Sequence, residues 1–374
     1  MTLSEILDSR RLVLCVGSGG VGKTTTAASL AVGAARRGRR TAVLTVDPAQ
    51  RLRDALGLGD LDGRPRRVPL SGGHARLDAM LLDVKRTFDE LVVGLASTPE
   101  QARRVLDNRL YQNLSGTLAG SAEYMAVETV LRLAETGDYD LLIVDTPPAR
   151  HAVDFLDAPR RLLRLLDSRA FAILKDPTSI LPGAGSRLAQ YVLGGVLRGL
   201  ERFTGIGLVR EIGDFVRAIE DLSGALRVRV AEIDALLKSD ATSLLLVTAP
   251  EPRLTGETEE LARALADVQL RVHGVVVNRV LPRAVYDVDP AAAPAGVTDA
   301  LATRLVRGFA DLRTLAARQE ATLAPLLRTA AAPLLGQVPM MATPPASLAD
   351  LETIAGCLLP DAGTSPIAAR GLGT

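Results

Sequence analysis

The 374-residue chain has no tryptophan, and aromatic residues make up only 3% of it. Hydrophobic residues reach 47%, so a sizeable core is available, but leucine, valine and alanine must build it. Two cysteines, Cys15 and Cys357, can supply neither a disulfide framework nor a tetrahedral zinc site. Cys15 lies in the apolar run LVLCV and reads as a small core residue. Lysine is scarce too: Lys23, Lys85, Lys175 and Lys238 are the only four, and arginine carries nearly all the positive charge. A net charge of +1 gives no electrostatic footprint for nucleic acid or anionic lipid. No uninterrupted apolar stretch is long enough to span a bilayer, and the first residues, MTLSEILDSRR, do not resemble a signal peptide. The expectation is a cytoplasmic protein without a transmembrane segment or a nucleic-acid partner.

What is present alternates. The short apolar runs 11–16, 40–47, 139–148, 242–251 and 272–282 read as buried strands, the second and third ending in an acid. KTTTAASLAVGAARRG has helical spacing and stops at Gly38. This pattern predicts an α/β fold with a doubly wound, mostly parallel sheet. Two stretches break the alternation with helical periodicity alone, which predicts an inserted α-helical subdomain. The expected division is 1–82, 139–158 and 240–360 for the sheet domain and 83–138 and 159–239 for the helical one. Residues 286–299 read as a loop, the stretch from Asp299 as one long amphipathic helix, and 361–374 as a disordered tail.

The chemistry concentrates in GSGGVGKTTT, residues 17–26, which fits two phosphate-binding patterns. As Gly17-x-Gly19-x-x-Gly22 it is a dinucleotide fingerprint, which implies an oxidoreductase, with Asp47 available for a ribose hydroxyl. As Gly17-x-x-x-x-Gly22-Lys23-Thr24 it is a P-loop for a nucleoside triphosphate. Only the second has a use for Lys-Thr directly after the last glycine. Backbone N–H groups from Gly17 to Thr25, through Ser18, Gly19, Gly20 and Val21, would cradle the phosphates. Lys23 would meet the β- and γ-phosphates, and Thr24 would ligate Mg²⁺. A remote strand-end acid is also required to hold the metal's water shell, and LLIVD supplies Asp145. The P-loop reading is preferred, with ATP and Mg²⁺ as the implied ligands.

Six stretches in order, GSGGVGKTTT, TVDPAQRLRDALG, DTPPARHAVDFLDAP, VTAPEPRLTGETEEL, VVVNRV and GQVPMM, resemble the arsenical-pump ATPases. That family includes the ATPases that deliver tail-anchored membrane proteins, and the resemblance is nearest its actinobacterial members. It covers roughly 11–157 and 240–360 and implies a P-loop ATPase of the SIMIBI class that works as a dimer. Asp47 then matches the switch-I aspartate that orients or deprotonates the attacking water; on its own residues, DPAQRL also reads as a helix cap. Asp145, Pro147, Arg150 and His151 match the second switch, with Arg150 standing where the family usually has glycine. Asn278 matches the adenine-reading amide, and Pro339 and Met340 the loop over the other edge of the base; Met340 and Met341 also suit core filling.

Two departures stand out. The family usually has lysine where Ser18 stands, and that lysine reaches across a dimer to the other subunit's phosphates. A homodimer of this chain would lack it, whereas a heterodimer with a lysine-bearing paralogue would restore it at this chain's site. The family's zinc-binding Cys-x-x-Cys is missing, so no zinc is expected, and Cys15 and Cys357 cannot form a thiol cluster for arsenite. The apolar segment 187–209 matches the region that shields a hydrophobic protein client in the family, and it equally fits a packed helical seam.

Overall fold

A computed structural model describes residues 1–47, 51–70, 75–108, 111–112, 121–168, 206–281 and 298–360. The chain divides into two compact units, one of Met1–Leu82, Leu133–Val153 and Lys238–Thr374, the other of Asp83–Arg132 and Asp154–Leu237.

The first unit is built on an eight-stranded sheet. Its strands are β1 (Leu12–Gly17), β2 (Thr41–Thr45), β3 (Arg66–Arg67), β4 (Leu77–Leu81), β5 (Leu141–Asp145), β6 (Thr242–Thr248), β7 (Gly274–Val280) and β8 (Leu334–Pro339). They lie in the order β3-β4-β2-β5-β1-β6-β7-β8, and every pairing is parallel except the two-residue β3 against β4. β1 sits between β5 and β6, with each of its residues from Leu12 to Val16 buried. The helices of this unit include α1 (Leu3–Ser9), α2 (Lys23–Arg36) and α3 (Arg51–Ala55). α1 is held at its start by a reciprocal Thr2–Glu5 capping box, and α2 buries small residues such as Ala27, Ala31 and Ala34 in the aliphatic core. With so few aromatics, that core relies on close approach of backbones rather than on large side chains.

Two strands carry no continuous apolar signature. In β4 (LDAML) the second residue is Asp78, a buried carboxylate that accepts from Arg67 Nε at 2.6 Å and Tyr139 Oη at 3.1 Å. β8 (LLGQVP) ends the sheet, is half-exposed along most of its length and is interrupted by Gly336 and Gln337.

The second unit is helical among its described residues. It holds α4 (Val84–Leu95), α5 (Pro99–Leu106) and most of α6 (Ser121–Thr136), α7 (Ala149–Leu166) and α8 (Ile206–Lys238). Asp83 and Thr98 cap α4 and α5 through their side chains, and Pro99 occupies the first turn of α5. Val92, Val105, Tyr111 and Leu222 form a small core, with Phe88 edge-on to Tyr111 at 5.3 Å. The buried Glu128 is neutralised by Arg229 at 2.9 Å. Three helices complete the sheet unit: α9 (Pro252–Asp267), α10 (Asp299–Ala330) and α11 (Leu348–Leu358). The expected apolar segment 187–209, the loop 286–299 and the tail 361–374 fall largely or wholly outside the described residues.

Candidate nucleotide site

The carboxyl ends of the parallel strands converge where a ligand of an open α/β sheet is held. β1 runs into the loop 17–22, and α2 begins directly after it with Gly22 at its N-cap and no side-chain cap, so its first N–H groups are free for an anion. Glycine is obligatory at two loop positions. A Cβ on Gly17 would lie 2.1 Å from the Val247 carbonyl oxygen. Gly22 has φ of +91°, and a Cβ there would lie 2.1 Å from Asn278 Nδ2.

Lys23 is buried and its ammonium donates to two carbonyls of its own loop, Gly17 at 3.0 Å and Ser18 at 2.9 Å. Burial pushes its pKa down, while Asp145 and Asp47 pull it back up. At the end of β5, Asp145 is buried and its Oδ2 accepts from Thr24 Oγ1 at 2.7 Å and Thr45 Oγ1 at 2.9 Å. Its Oδ1 is buried with no hydrogen-bond partner. Burial raises the carboxyl pKa above the usual carboxylate range, against the opposing effects of both threonines and Lys23. A buried carboxylate oxygen lacking a donor, beside a threonine hydroxyl, is a donor set that suits Mg²⁺ and its waters. Among the described residues no group of three His, Cys, Asp or Glu could bind a metal by protein ligands alone. Thr24 and Asp145 therefore fit a metal completed by phosphate and water. Asp47 follows β2, is about one-quarter exposed, and lies 3.8 Å from Arg51 Nη1. Its N–H donates to Thr45 Oγ1 at 3.3 Å, which ties it to the same threonine that steadies Asp145. The capping alternative at 48–50 lies outside the described residues.

Residues 10–315 match the family described as anion-transporting ATPase. Similar proteins include an ATPase GET3 from Phaeosphaeria nodorum, 30% identical over 75% of this chain and 80% of that protein. A second, from Podospora anserina, is 30% identical over 75% of this chain and 76% of its own length. The chain belongs to the anion-transporting ATPase family. It is an ATPase.

Within this ATPase, the remaining residues singled out in the sequence occupy distinct positions. Gly19 and Gly20 are exposed at the loop tip, Val21 is buried, and Thr25 is half-buried in the first turn of α2. Ser18 is fully buried. Its hydroxyl lies 3.4 Å from the Leu254 carbonyl and 3.2 Å from Thr258 Oγ1, which in turn lies 3.2 Å from Thr248 Oγ1. Asn278 donates through Nδ2 to the Val21 carbonyl at 2.9 Å, so its amide buttresses the loop. Pro339 ends β8, opposite Val280, and the exposed Met340 donates its N–H to the Val280 carbonyl at 2.7 Å. Pro147 is half-buried after β5, and the exposed His151 donates its N–H to the Pro148 carbonyl at 2.8 Å. The side chain of Arg150 lies outside the described residues.

Sequence reading missed three contributors. Thr45 holds Asp145, and Thr146 donates its hydroxyl to the Cys15 carbonyl at 2.8 Å, which fastens the segment after β5 to β1. Arg279, with φ of +60°, donates to the Gly20 carbonyl and sits 3.7 Å from Glu251. A cation directly after Asn278 was the available signal; the backbone turn that aims it was not.

Asp145 yields a prediction about stability. Its folded pKa is raised, so folding favours the protonated form and the charged form costs stability at neutral pH. That cost disappears as pH falls through the folded pKa. Asp145→Asn keeps an oxygen for Thr24 and Thr45 and removes the charge. The metal-free variant is expected to melt above wild type at pH 7, with the difference shrinking on acidification, and to lose Mg²⁺-dependent turnover. A lower melting temperature at pH 7 would show that the carboxylate is net stabilising.

Proposed function

We propose that this ATPase is Mg²⁺-dependent, works in the cytoplasm as a dimer, and couples its nucleotide cycle to a helical surface that receives a hydrophobic protein client. The observation that carries the nucleotide assignment is the cluster of buried Lys23, half-buried Thr24 and buried Asp145 at the ends of β1 and β5, with one Asp145 oxygen left without a donor. In this reading Lys23 exchanges the Gly17 and Ser18 carbonyls for β- and γ-phosphate oxygens, and the α2 N-terminus takes further phosphate charge. Bound Mg²⁺ supplies charge neutralisation on the triphosphate. Thr24 and, through water, Asp145 would hold it. Asp47 accepts the proton of the attacking water, while Asn278, Pro339 and Met340 flank the base. Pro147, Arg150 and His151 relay the state of the γ-phosphate. A binding screen with labelled ATP, GTP and NAD tests the site: Mg²⁺-dependent ATP binding is expected, and binding of NAD alone would sink the reading in favour of a dinucleotide oxidoreductase.

A second reading is favoured by Ser18, whose buried hydroxyl brings no charge to any phosphate. In that reading the chain hydrolyses weakly alone and serves a heterodimer with a lysine-bearing paralogue. The purified chain is then expected to turn over slowly and to accelerate when such a paralogue is added. That gain should require Lys23 and Asp47 of this chain, and a trans cation is worth about a thousandfold in related phosphoryl transfer. Ser18→Lys is expected to raise the rate of the homodimer while lowering its melting temperature, because Thr258 loses a partner. Fast hydrolysis by the unmixed chain rules this second reading out.

A further inference from the structure

The phosphate loop, residues 17–24, carries a single cation, Lys23. A second positive charge, Arg51, opens α3. Asp145 is level with Cys15 of β1 and with Thr45 of β2, so the segments that follow these three strands leave the same edge of the sheet. Asp47 follows β2, and Arg51 comes four residues later, its Nη1 3.8 Å from Asp47 Oδ2. A line of contacts then runs from Arg51 through Asp47, Thr45 and Asp145 to Thr24. Burial lowers the Lys23 pKa most, and the charge of Arg51 pushes it in the same direction. Two cations that repel each other in the empty site attract a polyanion jointly.

The helix is fixed while the arginine is not. Leu52 and Ala55 anchor α3 in the aliphatic core, whereas the Arg51 side chain is 69% exposed. At 3.8 Å it is too far from Asp47 to hydrogen-bond, and a pair so exposed contributes little to folding. The guanidinium can therefore change partner at small cost. Arg53, two residues on, is the contrast: its Nε and Nη2 both engage Asp54 Oδ1, at 2.9 and 2.7 Å.

We propose that Arg51 is a catalytic residue of this ATPase: with ATP bound, its guanidinium passes from Asp47 to the γ-phosphate and supplies, from within the chain, the charge that Ser18 does not bring. In hydrolysis a bond forms from the water oxygen to the γ-phosphorus. The bond from that phosphorus to the β–γ bridging oxygen breaks, its electron pair leaves with ADP, and the proton of the water goes to Asp47. Arg51 donates to the γ-phosphoryl oxygens throughout, and its departure uncovers the Asp47 oxygen that takes the proton. The inference rests on the nucleotide reading above, and it expects the chain to hydrolyse ATP without a paralogue.

ATP affinity and single-turnover hydrolysis of the full-length chain, with Mg²⁺ and no paralogue, test it. Arg51→Ala is expected to keep ATP affinity within about tenfold of wild type and to slow hydrolysis about a thousandfold. Arg51→Lys should recover only a small part, because an ammonium lacks the paired N–H groups of the fork. Arg51→Ala should also lose tight capture of ADP with fluoroaluminate, a mimic of the phosphoryl transition state that a merely structural arginine would leave bound. Arg53→Ala should behave as wild type, and unchanged far-UV circular dichroism in each variant shows that the fold survives. Co-expressing Arg51→Ala chains with Lys23→Ala chains should restore nothing, since every site still lacks one of its two cations. Recovery in that mixture would place the arginine across a dimer and overturn the proposal. An Arg51→Ala chain as fast as wild type overturns it too. A wild type that binds ATP yet is as slow as Arg51→Ala overturns it while the nucleotide reading stands, and a wild type that does not bind ATP defeats both.

Discussion

Replacing Lys23 with alanine is expected to lower kcat/KM for ATP by about a hundredfold to a thousandfold and to weaken ATP binding with it. The ammonium is the one lysine charge at the loop, it is buried, and it sits over the Gly17 and Ser18 carbonyls where a bound phosphate would take their place. Lys23→Arg is not expected to restore the function, because a planar fork cannot replace a compact ammonium at the Gly17 and Ser18 carbonyls. The fold should tolerate alanine, since burial already disfavours the ammonium and Asp145, deprived of that cation, can take up a proton. Equilibrium ATP binding and steady-state hydrolysis, measured on the same preparation, check both halves. Wild-type ATP affinity in Lys23→Ala would mean that the loop binds by backbone N–H groups alone.

The second large effect separates binding from turnover. Asp47→Asn is expected to leave ATP affinity within a few-fold of wild type and to lower kcat by about a hundredfold to ten-thousandfold. The amide preserves the shape and the N–H link to Thr45, but it cannot accept the proton of the attacking water. Single-turnover hydrolysis with pre-bound ATP reads this directly. A variant as fast as wild type would reduce Asp47 to its structural part beside Arg51 and Thr45.

How much of this was legible in the sequence follows from which forces leave a one-dimensional trace. Strands buried on both faces, such as β1, β5 and β6, must be apolar throughout, so they are visible as runs. β4 was hidden because its Asp78 is neutralised by Arg67 and Arg76 and accepts from the distant Tyr139, and β8 because a half-exposed edge tolerates Gly336 and Gln337. The parallel α/β class was therefore readable while the full strand count was not. At the site, Lys23 and Thr24 are fixed by local spacing and were evident, and Asp145 by its place at a strand end. Thr45, Thr146 and Arg279 act through contacts across the sheet or through an uncommon backbone angle, which spacing does not encode. Ser18 was read as a missing charge. Its participation in a buried hydroxyl chain needed coordinates.

That hydroxyl chain bears on how reversible the loss of the lysine is over generations. A mutation back to lysine at 18 meets a site where Ser18, Thr258 and Thr248 satisfy one another in the interior. The long side chain must leave that pocket, and Thr258 is left with one fewer partner where water cannot reach. A lysine at 18 is accommodated best when Thr258 on α9 is changed with it. At position 18, therefore, the hydroxyl is part of the packing between the loop and α9 and not merely the absence of a charge.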